Sequence, residues 1–240
     1  MTTLPSGLRI VTDPIAGAES IALGVWVGVG TRHEERTENG IAHMVEHMMF
    51  KGTATRTAQQ ISEIIEDAGG HINAYTGREM TAYYIHILKD HTDLALGVLS
   101  DMMQNATFPE DELERERQVI IQEVNMYLDT PDDLVFDLAQ EAAYPDQALG
   151  APGLGKVDIL NRLQQADLFR YTRARYAPEH IVISAAGAVD HDVFVAKVAA
   201  SFTNLPAANS NGAVLSFAPA RFAPSASLIE KDTEQTHLDL

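Results

Sequence analysis

His43-Met44-Val45-Glu46-His47 is the stretch from which the rest of this sequence can be interpreted. At about 100° per residue in an α-helix, His47 lies about 40° from His43, and Glu46 lies about 60° from it on the other side. Three polar side chains therefore leave one narrow arc of the predicted helix. The opposite arc is apolar and is expected to face the core: Ile41, Met44, Val45, Met48 and Met49.

This spacing is typical of a zinc site. Two imidazoles one turn apart can occupy two corners of a zinc tetrahedron, and a third protein ligand leaves the fourth corner for water. A carboxylate beside that water is placed to act as its base. The order H-x-x-E-H reverses the commoner H-E-x-x-H of zinc peptidases and is known as the inverzincin motif. The alternative, a solvated helix face that carries two unrelated histidines, is disfavoured by the apolar residues on the opposite arc.

The composition describes an acidic chain without cysteine. The 240 residues carry a formal net charge of −17, which argues against binding to nucleic acid, whose phosphates attract Lys and Arg. No run approaches about 18 consecutive apolar residues, so no membrane span is predicted. No secretory signal is visible, and we expect a cytoplasmic protein, although a processed form would look the same. Without cysteine, a zinc ion must be held by His and carboxylate.

Hydrophobic patterns divide the chain into short strands and several helices. The metal helix is expected to follow Asn39, its predicted N-cap, and to stop before Gly52. The glycine-rich stretch 147–157 lacks the G-x-x-x-x-G-K-[ST] order and is interpreted as a loop, not as a phosphate site. Strands are expected at 8–13, 21–29, 71–76, 80–88, 181–186, 227–231 and 236–240. Other helices are expected at 57–68, 91–106, 108–128, 132–144, 158–175 and 190–202, with a linker at 207–225. The pattern predicts an α+β fold in which helices cover a mostly antiparallel sheet.

A third ligand is expected on the helix 108–128. Glu116 and Glu123 share one stripe of this helix with residues that would ordinarily face the core: Val119, Ile120 and Tyr127. Burial of an unpaired carboxylate costs about several kcal/mol, so buried glutamates need a metal or a cationic partner. One carboxylate beside two neutral imidazoles would leave a zinc site with a net charge of about +1. The alternative is an exposed face on which both glutamates pair with Arg115 and Arg117.

The combination of these residues resembles the M16 family of zinc metallopeptidases, which includes pitrilysin and the mitochondrial processing peptidase. The H-x-x-E-H motif is followed by Glu123, 76 positions after His47, and Glu116 precedes Glu123 by seven positions. The resemblance extends over essentially the whole chain and is strongest to the smaller, processing-peptidase-like branch. Further matching stretches are 28–32 (GVGTR), 39–43 (NGIAH), 50–53 (FKGT), 73–76 (NAYT) and 117–120 (RQVI).

The resemblance implies a zinc-dependent endopeptidase that cleaves extended or unfolded peptides by metal-activated water. It implies one zinc ion per chain, with His43, His47 and Glu123 as the ligands. It also implies two catalytic carboxylates, of which Glu46 is the general base and Glu116 is a supporting acid that orients a ligand.

Substrate-binding residues are implied as well. Residues 73–76 match an edge strand on which family members bind extended substrates, which makes Asn73, Ala74 and Tyr75 candidate binding residues. Phe50 lies near the ligands on the helical wheel, so it is a candidate wall of a subsite beside the cleaved bond. Simple packing of Phe50 against the sheet is an equal alternative.

Family members of this branch pair two homologous halves into a clamshell, and the second half contributes an Arg/Tyr pair. Residues 1–240 match only the first half, so we expect one zinc-binding catalytic domain. The expected partners are a peptide substrate and a second M16 half, supplied by a missing C-terminal domain, a separate subunit or a second copy of the chain. One alternative is a weak or inactive half that binds peptide. Another, a lyase resembling S-ribosylhomocysteine lyase, needs a cysteine and is disfavoured.

Overall fold

The strand Ser20–Val27 lies inside the sheet and has a neighbouring strand on each side. Its nearly continuous run of apolar residues suits that position. The structure is a computed structural model that describes residues 1–206, 219–230 and 235–239. The strands of the described residues, β1 to β6 in chain order, are Thr2–Thr3, Arg9–Pro14, Ser20–Val27, His71–Thr76, Thr81–Leu88 and Ile181–Gly187.

The six strands form one sheet in the order β1-β2-β6-β3-β5-β4. β2 and β6 run parallel, and the other four neighbouring pairs are antiparallel. The predicted α+β fold with a mostly antiparallel sheet is therefore confirmed. β4 is the last strand on its side of the sheet in the described part of the chain.

The helices, α1 to α8 in chain order, are Ile41–Met49, Ala58–Glu66, Thr92–Asn105, Glu110–Leu128, Pro131–Ala143, Val157–Leu160, Gln165–Arg175 and His191–Ser201. The single helix predicted at 158–175 is wrong, because the chain breaks there into α6 and α7. The buried guanidinium of Arg117, on α4, donates hydrogen bonds to the main-chain oxygens of Leu160 and Leu163. These carbonyls at the break thus have partners without a continuing helix. No helix in the described ranges is long and apolar enough to cross a membrane.

The apolar arc of α1 is buried as predicted. Ile41, Met44, Val45 and Met48 have no exposed surface, and Met49 is 1% exposed. Burial of each side chain of this size contributes about 1.5–3 kcal/mol. Rotation of α1 about its axis would expose these side chains, so their packing fixes the direction of the polar arc.

The core side of α4 differs from the predicted one. Glu116, Ile120 and Val124 are buried, whereas Val119 is 40% exposed. The predicted core position of Val119 is therefore wrong. The buried side follows the i, i+4 row through Glu116, Ile120 and Val124, which leaves Glu123 at the margin of the core.

The first turn of α1 is capped by the carboxylate of Glu34, which precedes the helix in the sequence. Gly40, with a φ of 94°, is the N-cap, so the prediction of Asn39 at this position is wrong. The Glu34 carboxylate accepts hydrogen bonds of 2.9 Å from the backbone N–H groups of Gly40 and Ala42 and from the Asn39 side chain. Asn39 therefore orients the capping carboxylate, which lies at the positive end of the helix dipole.

The strands predicted near the end of the chain are absent from the described residues. Residues 227–230 and 236–239 form no strand, while 207–218, Lys231 and Leu240 lie outside the described residues. The preceding segment bonds to α5 instead, through Ala223 N–H to the oxygen of Ala143 at 2.9 Å. Without a neighbouring strand, an apolar alternating pattern does not produce a sheet.

Titration of Glu34 gives a test of this cap. Burial raises the pKa of Glu34 from 4.5 to about 7, against the opposing effect of its three hydrogen bonds. Because the folded-state pKa of Glu34 is raised, protonated Glu34 contributes to the free energy of unfolding at low pH. This contribution is lost as the pH rises from about 4.5 through about 7. Relative to Glu34→Gln, which does not titrate, the wild type should lose about 1–3 kcal/mol of unfolding free energy between about pH 5 and about pH 7.5. Urea unfolding of both proteins at each pH measures this difference. A constant or widening advantage of the wild type would mean that the N–H donors keep the carboxylate ionised.

Candidate metal centre

The two histidines of α1 lie together on its polar arc. The rings of His43 and His47 are 4.6 Å apart, centroid to centroid, and meet edge to face at 75°. Their side chains are 13% and 18% exposed, so both are largely enclosed while still open on one side. The packing of the opposite arc therefore presents both imidazoles to the same small volume.

Glu123 on α4 completes this group. Its Oε2 lies 3.8 Å from Nε2 of His43 and 3.7 Å from Nε2 of His47. All three potential ligand atoms lie within 4.8 Å of one another. Two bonds of about 2.1 Å at a tetrahedral angle separate ligand atoms by about 3.4 Å, so small side-chain adjustments would fit a zinc ion. The Glu123 side chain is 39% exposed, which leaves the group accessible from solvent.

The protonation state of His43 also fits a metal ligand. Burial, with a smaller effect of the neighbouring His47, lowers the pKa of His43 to about 4. The imidazole is therefore neutral near pH 7, as a metal ligand must be. Its buried Nδ1 has no hydrogen-bond partner within the described residues. A neutral, poorly solvated imidazole whose other nitrogen faces a carboxylate and a second imidazole suits a divalent cation.

Glu116 lies behind His47 and is buried, with 7% of its surface exposed. Its Oε2 is 2.9 Å from Nδ1 of His47, and its Oε1 is 2.7 Å from Nζ of Lys51. Burial acts to raise the pKa of Glu116, but the bonds from Lys51 and His47 outweigh it and keep the pKa low. Since an ionised carboxylate only accepts, the bond places a ring hydrogen of His47 on Nδ1, so Nε2 is the nitrogen that would hold a metal.

The alternative of an exposed salt-bridge face on α4 does not describe Glu116. Arg117 is buried and points its guanidinium at main-chain oxygens, apart from one bond to Glu114. Arg115 pairs with Glu112 and Asp111 on the solvent side. Neither arginine forms an ion pair with Glu116 or Glu123 within the described residues.

Glu46 lies between the two histidines in the sequence, and its side chain is held in place by a residue of the sheet. The hydroxyl of Thr76, the last residue of β4, donates a hydrogen bond to its Oε2. The pKa of Glu46 is raised above its ordinary value, mainly by burial and to a smaller extent by the nearby Glu123. The hydrogen bond from Thr76 and the nearby His47 act in the opposite direction. A carboxylate with a raised pKa is better matched to proton transfer near neutral pH.

The residues expected to bind substrate lie on β4 and directly after α1, and their role stays a prediction. Asn73 and Tyr75 are exposed on β4, while Ala74 is partly buried. The Ala74 N–H donates to the side-chain oxygen of Asn73 at 2.8 Å, which places that amide on the open side of the strand. Phe50 packs against the core, 6.4 Å from the Tyr83 ring between centroids, as its packing alternative expects.

Sequence reasoning missed three residues that support the site. Glu34 caps α1, Lys51 pairs with Glu116, and Thr76 holds Glu46. Lys51 and Thr76 lie inside stretches that resemble the M16 family, and this resemblance could have marked them as candidates. Their partners are distant in sequence, so helical and strand periodicity could not identify the contacts.

Comparisons with known proteins place this geometry in context. A sequence model of the family described as Insulinase (Peptidase family M16) matches residues 9–156. An uncharacterized zinc protease of Rickettsia felis is 40% identical over 240 residues, which is 100% of this chain and 57% of that protein. The chain thus spans little more than half the length of this relative.

Solved structures share the fold. The crystal structure of a protease from Helicobacter pylori aligns with a TM-score of 0.85 at 25% identity, over 92% of this chain and 53% of that one. The crystal structure of a peptidase M16 inactive domain from Pseudomonas fluorescens aligns with a TM-score of 0.80 at 18% identity, over 86% of this chain and 50% of that one. The second likeness concerns the fold alone.

Zinc binding tests whether Glu123 is a ligand. Glu123→Gln should weaken zinc binding by about 10-fold or more, because the site loses its one anionic donor. Glu114→Gln, at an exposed position of the same helix, is the matched control and should bind zinc as the wild type does. Competition with a fluorescent zinc chelator measures both affinities. Equal affinities of the two variants would remove Glu123 from the ligand set.

Proposed function

Because this chain belongs to peptidase family M16, the insulinase family, we propose that residues 1–240 form the zinc-binding catalytic domain of a metalloendopeptidase. The proposed substrates are extended or unfolded peptides. The observation that carries the proposal is the convergence of His43, His47 and Glu123 from two helices on one volume, with Glu46 on the same arc. The name of the Rickettsia felis relative, a zinc protease, supports the same reaction class.

The chemistry follows from the positions of the carboxylates. Zinc held by His43, His47 and Glu123 would supply a Lewis acid that acidifies water and polarises the peptide carbonyl. Glu46 would accept one proton from the attacking water as the water oxygen bonds to the carbonyl carbon. Glu46 would then deliver that proton to the amine nitrogen as the C–N bond breaks. Glu116 would keep the His47 ring in the orientation and tautomer that the site requires.

The proposed substrate class follows from β4. A strand at the edge of a sheet carries N–H and C=O groups that bond to no second strand and can pair with an extended peptide. β4 ends at Thr76, whose hydroxyl bonds to Glu46, so a peptide paired with β4 would pass close to the base. Main-chain pairing depends little on side chains, which favours unfolded segments over one defined sequence.

We also propose that full activity requires a second M16 half. The length of the relatives and the Arg/Tyr pair implied by the resemblance support this requirement. The second half would come from a longer polypeptide, a separate subunit or a second copy of the chain. The alternative is a half that binds peptide but turns over little, which the existence of an M16 domain described as inactive makes reasonable. The complete H-x-x-E-H and glutamate set favours the enzyme.

Glu46→Gln separates metal binding from hydrolysis. The variant should keep its zinc affinity, because Glu46 is not a ligand, and should lose about 100-fold or more in cleavage rate. Cleavage of a reduced, carboxymethylated protein, with and without an added M16 second half, measures the rate. Glu66→Gln, at an exposed position on α2, is the control. Turnover of Glu46→Gln near the wild-type rate would rule out the base, and an inert wild type under both conditions would favour the binding half.

Thr76→Val tests the contact between β4 and the base. Loss of the hydroxyl that donates to Glu46 should lower kcat by about 10-fold, because the base is no longer held in place. Thr76→Ser keeps a hydroxyl and should recover most of the rate. Zinc affinity should be unchanged in both variants. Equal kcat for valine and threonine would show that the contact has no part in the reaction.

A further inference from the structure

Lys51 is the last member of a chain of contacts that leads away from His47. Its Nζ lies 2.7 Å from Glu116 Oε1, and the other oxygen of that carboxylate lies 2.9 Å from Nδ1 of His47. The Lys51 side chain is 26% exposed and that of Glu116 is 10% exposed, so this ion pair is more enclosed than a typical surface pair.

We propose that Lys51 is a positioning residue for the metal centre, which acts through Glu116 to hold the ring of His47. One Glu116 oxygen is fixed by the ammonium group, so the other is directed at the His47 ring hydrogen. The carboxylate also has its negative charge balanced before a metal binds. This inference rests on the proposed function for the identity of zinc as the ligand, and it extends that function to a residue outside the ligand and base set.

The backbone around Lys51 is anchored well enough for this role. The Gly52 carbonyl accepts a 3.2 Å bond from the N–H of Thr107, and the Thr53 hydroxyl donates at 2.6 Å to Asp101 on α3. Asp101 also accepts a 2.6 Å bond from Arg56. The segment that follows α1 is therefore tied to α3, and Lys51 loses less conformational freedom in its ion pair than a lysine on a free surface would.

Two opposing effects of Lys51 on zinc make the inference testable. As a nearby positive charge, Lys51 repels a divalent cation, so its removal by direct electrostatics would tighten zinc binding. As a positioning residue it keeps His47 ready to bind, so its removal would weaken zinc binding. Removal of residues that support a metal ligand typically lowers affinity by about 10–100-fold. The sign of the change therefore distinguishes the two roles.

The experiment measures zinc affinity by chelator competition in Lys51→Met, Glu116→Leu and the double variant. We expect Lys51→Met to weaken zinc binding by about 10-fold, and the double variant to match Glu116→Leu within about 2-fold. Lys51→Arg should recover most of the affinity. Lys89→Met removes a more exposed lysine that pairs with Glu19 and should leave zinc binding unchanged. Unchanged or tighter binding by Lys51→Met, or additive losses in the double variant, would overturn the proposal.

A second measurement needs neither zinc nor activity. Nitrogen-15 NMR of the zinc-free protein at about pH 8 reports which ring nitrogen of His47 carries hydrogen, with His47→Gln to assign the signals. We expect hydrogen on Nδ1 in the wild type and a mixture of tautomers in Lys51→Met. A wild type with hydrogen on Nε2, or the same Nδ1 form in both proteins, would overturn the proposal. A wild type that fails to bind zinc would contradict the proposed function, and the tautomer result would still decide the role of Lys51.

Discussion

The burial of one side of α1 is the constraint on which the metal centre depends. Six apolar side chains of this short helix, Ala42 among them, lie in the core, so the helix cannot turn without a loss of several kcal/mol. The direction of the opposite arc is therefore set by packing and not by a metal. His43 and His47 share one volume with Glu123 because the opposite side of α1 is packed into the core. Glu34 adds to this, because its carboxylate accepts hydrogen bonds from the backbone N–H groups of Gly40 and Ala42 in the first turn. Glu46 lies near enough to interact electrostatically with His47 and Glu123.

The charges around the site are arranged in layers. Two imidazoles and one carboxylate face the volume that a metal would fill, and a second carboxylate lies behind His47. Lys51 balances that second carboxylate from the far side. A zinc ion with Glu123, Glu116 and Lys51 around it would thus keep a net charge of about +1, as the sequence predicted for zinc with one glutamate. The ion pair of Lys51 and Glu116 would therefore orient a ligand without neutralising the metal.

The sequence predicted those parts of the site that are set by local periodicity. The polar and apolar arcs of α1 follow from the positions of nine residues, and the structure has them as predicted. Glu123 lies 76 positions from His47, so its placement beside the histidines needed the family resemblance as well as a helical wheel. Hydrophobic periodicity gave wrong predictions where contacts between distant parts of the chain determine the local structure. Arg117 bonds to carbonyls at the break in a predicted helix, and the Glu34 carboxylate caps the first turn of α1. Val119 is exposed because the core side of α4 follows another row. The strand pattern near residue 227 fails for the same reason, since residues 227–230 pair with no strand of the described residues.

Three side chains from two helices are expected to hold a single metal ion. A crystal structure of the zinc-loaded protein, with anomalous scattering measured at the zinc absorption edge, would show whether they do. We predict one anomalous peak, bonded to Nε2 of His43, Nε2 of His47 and a carboxylate oxygen of Glu123, each at about 2.0–2.2 Å. A peak elsewhere, or a peak at the histidines with Glu123 turned out to solvent, would contradict this three-ligand site.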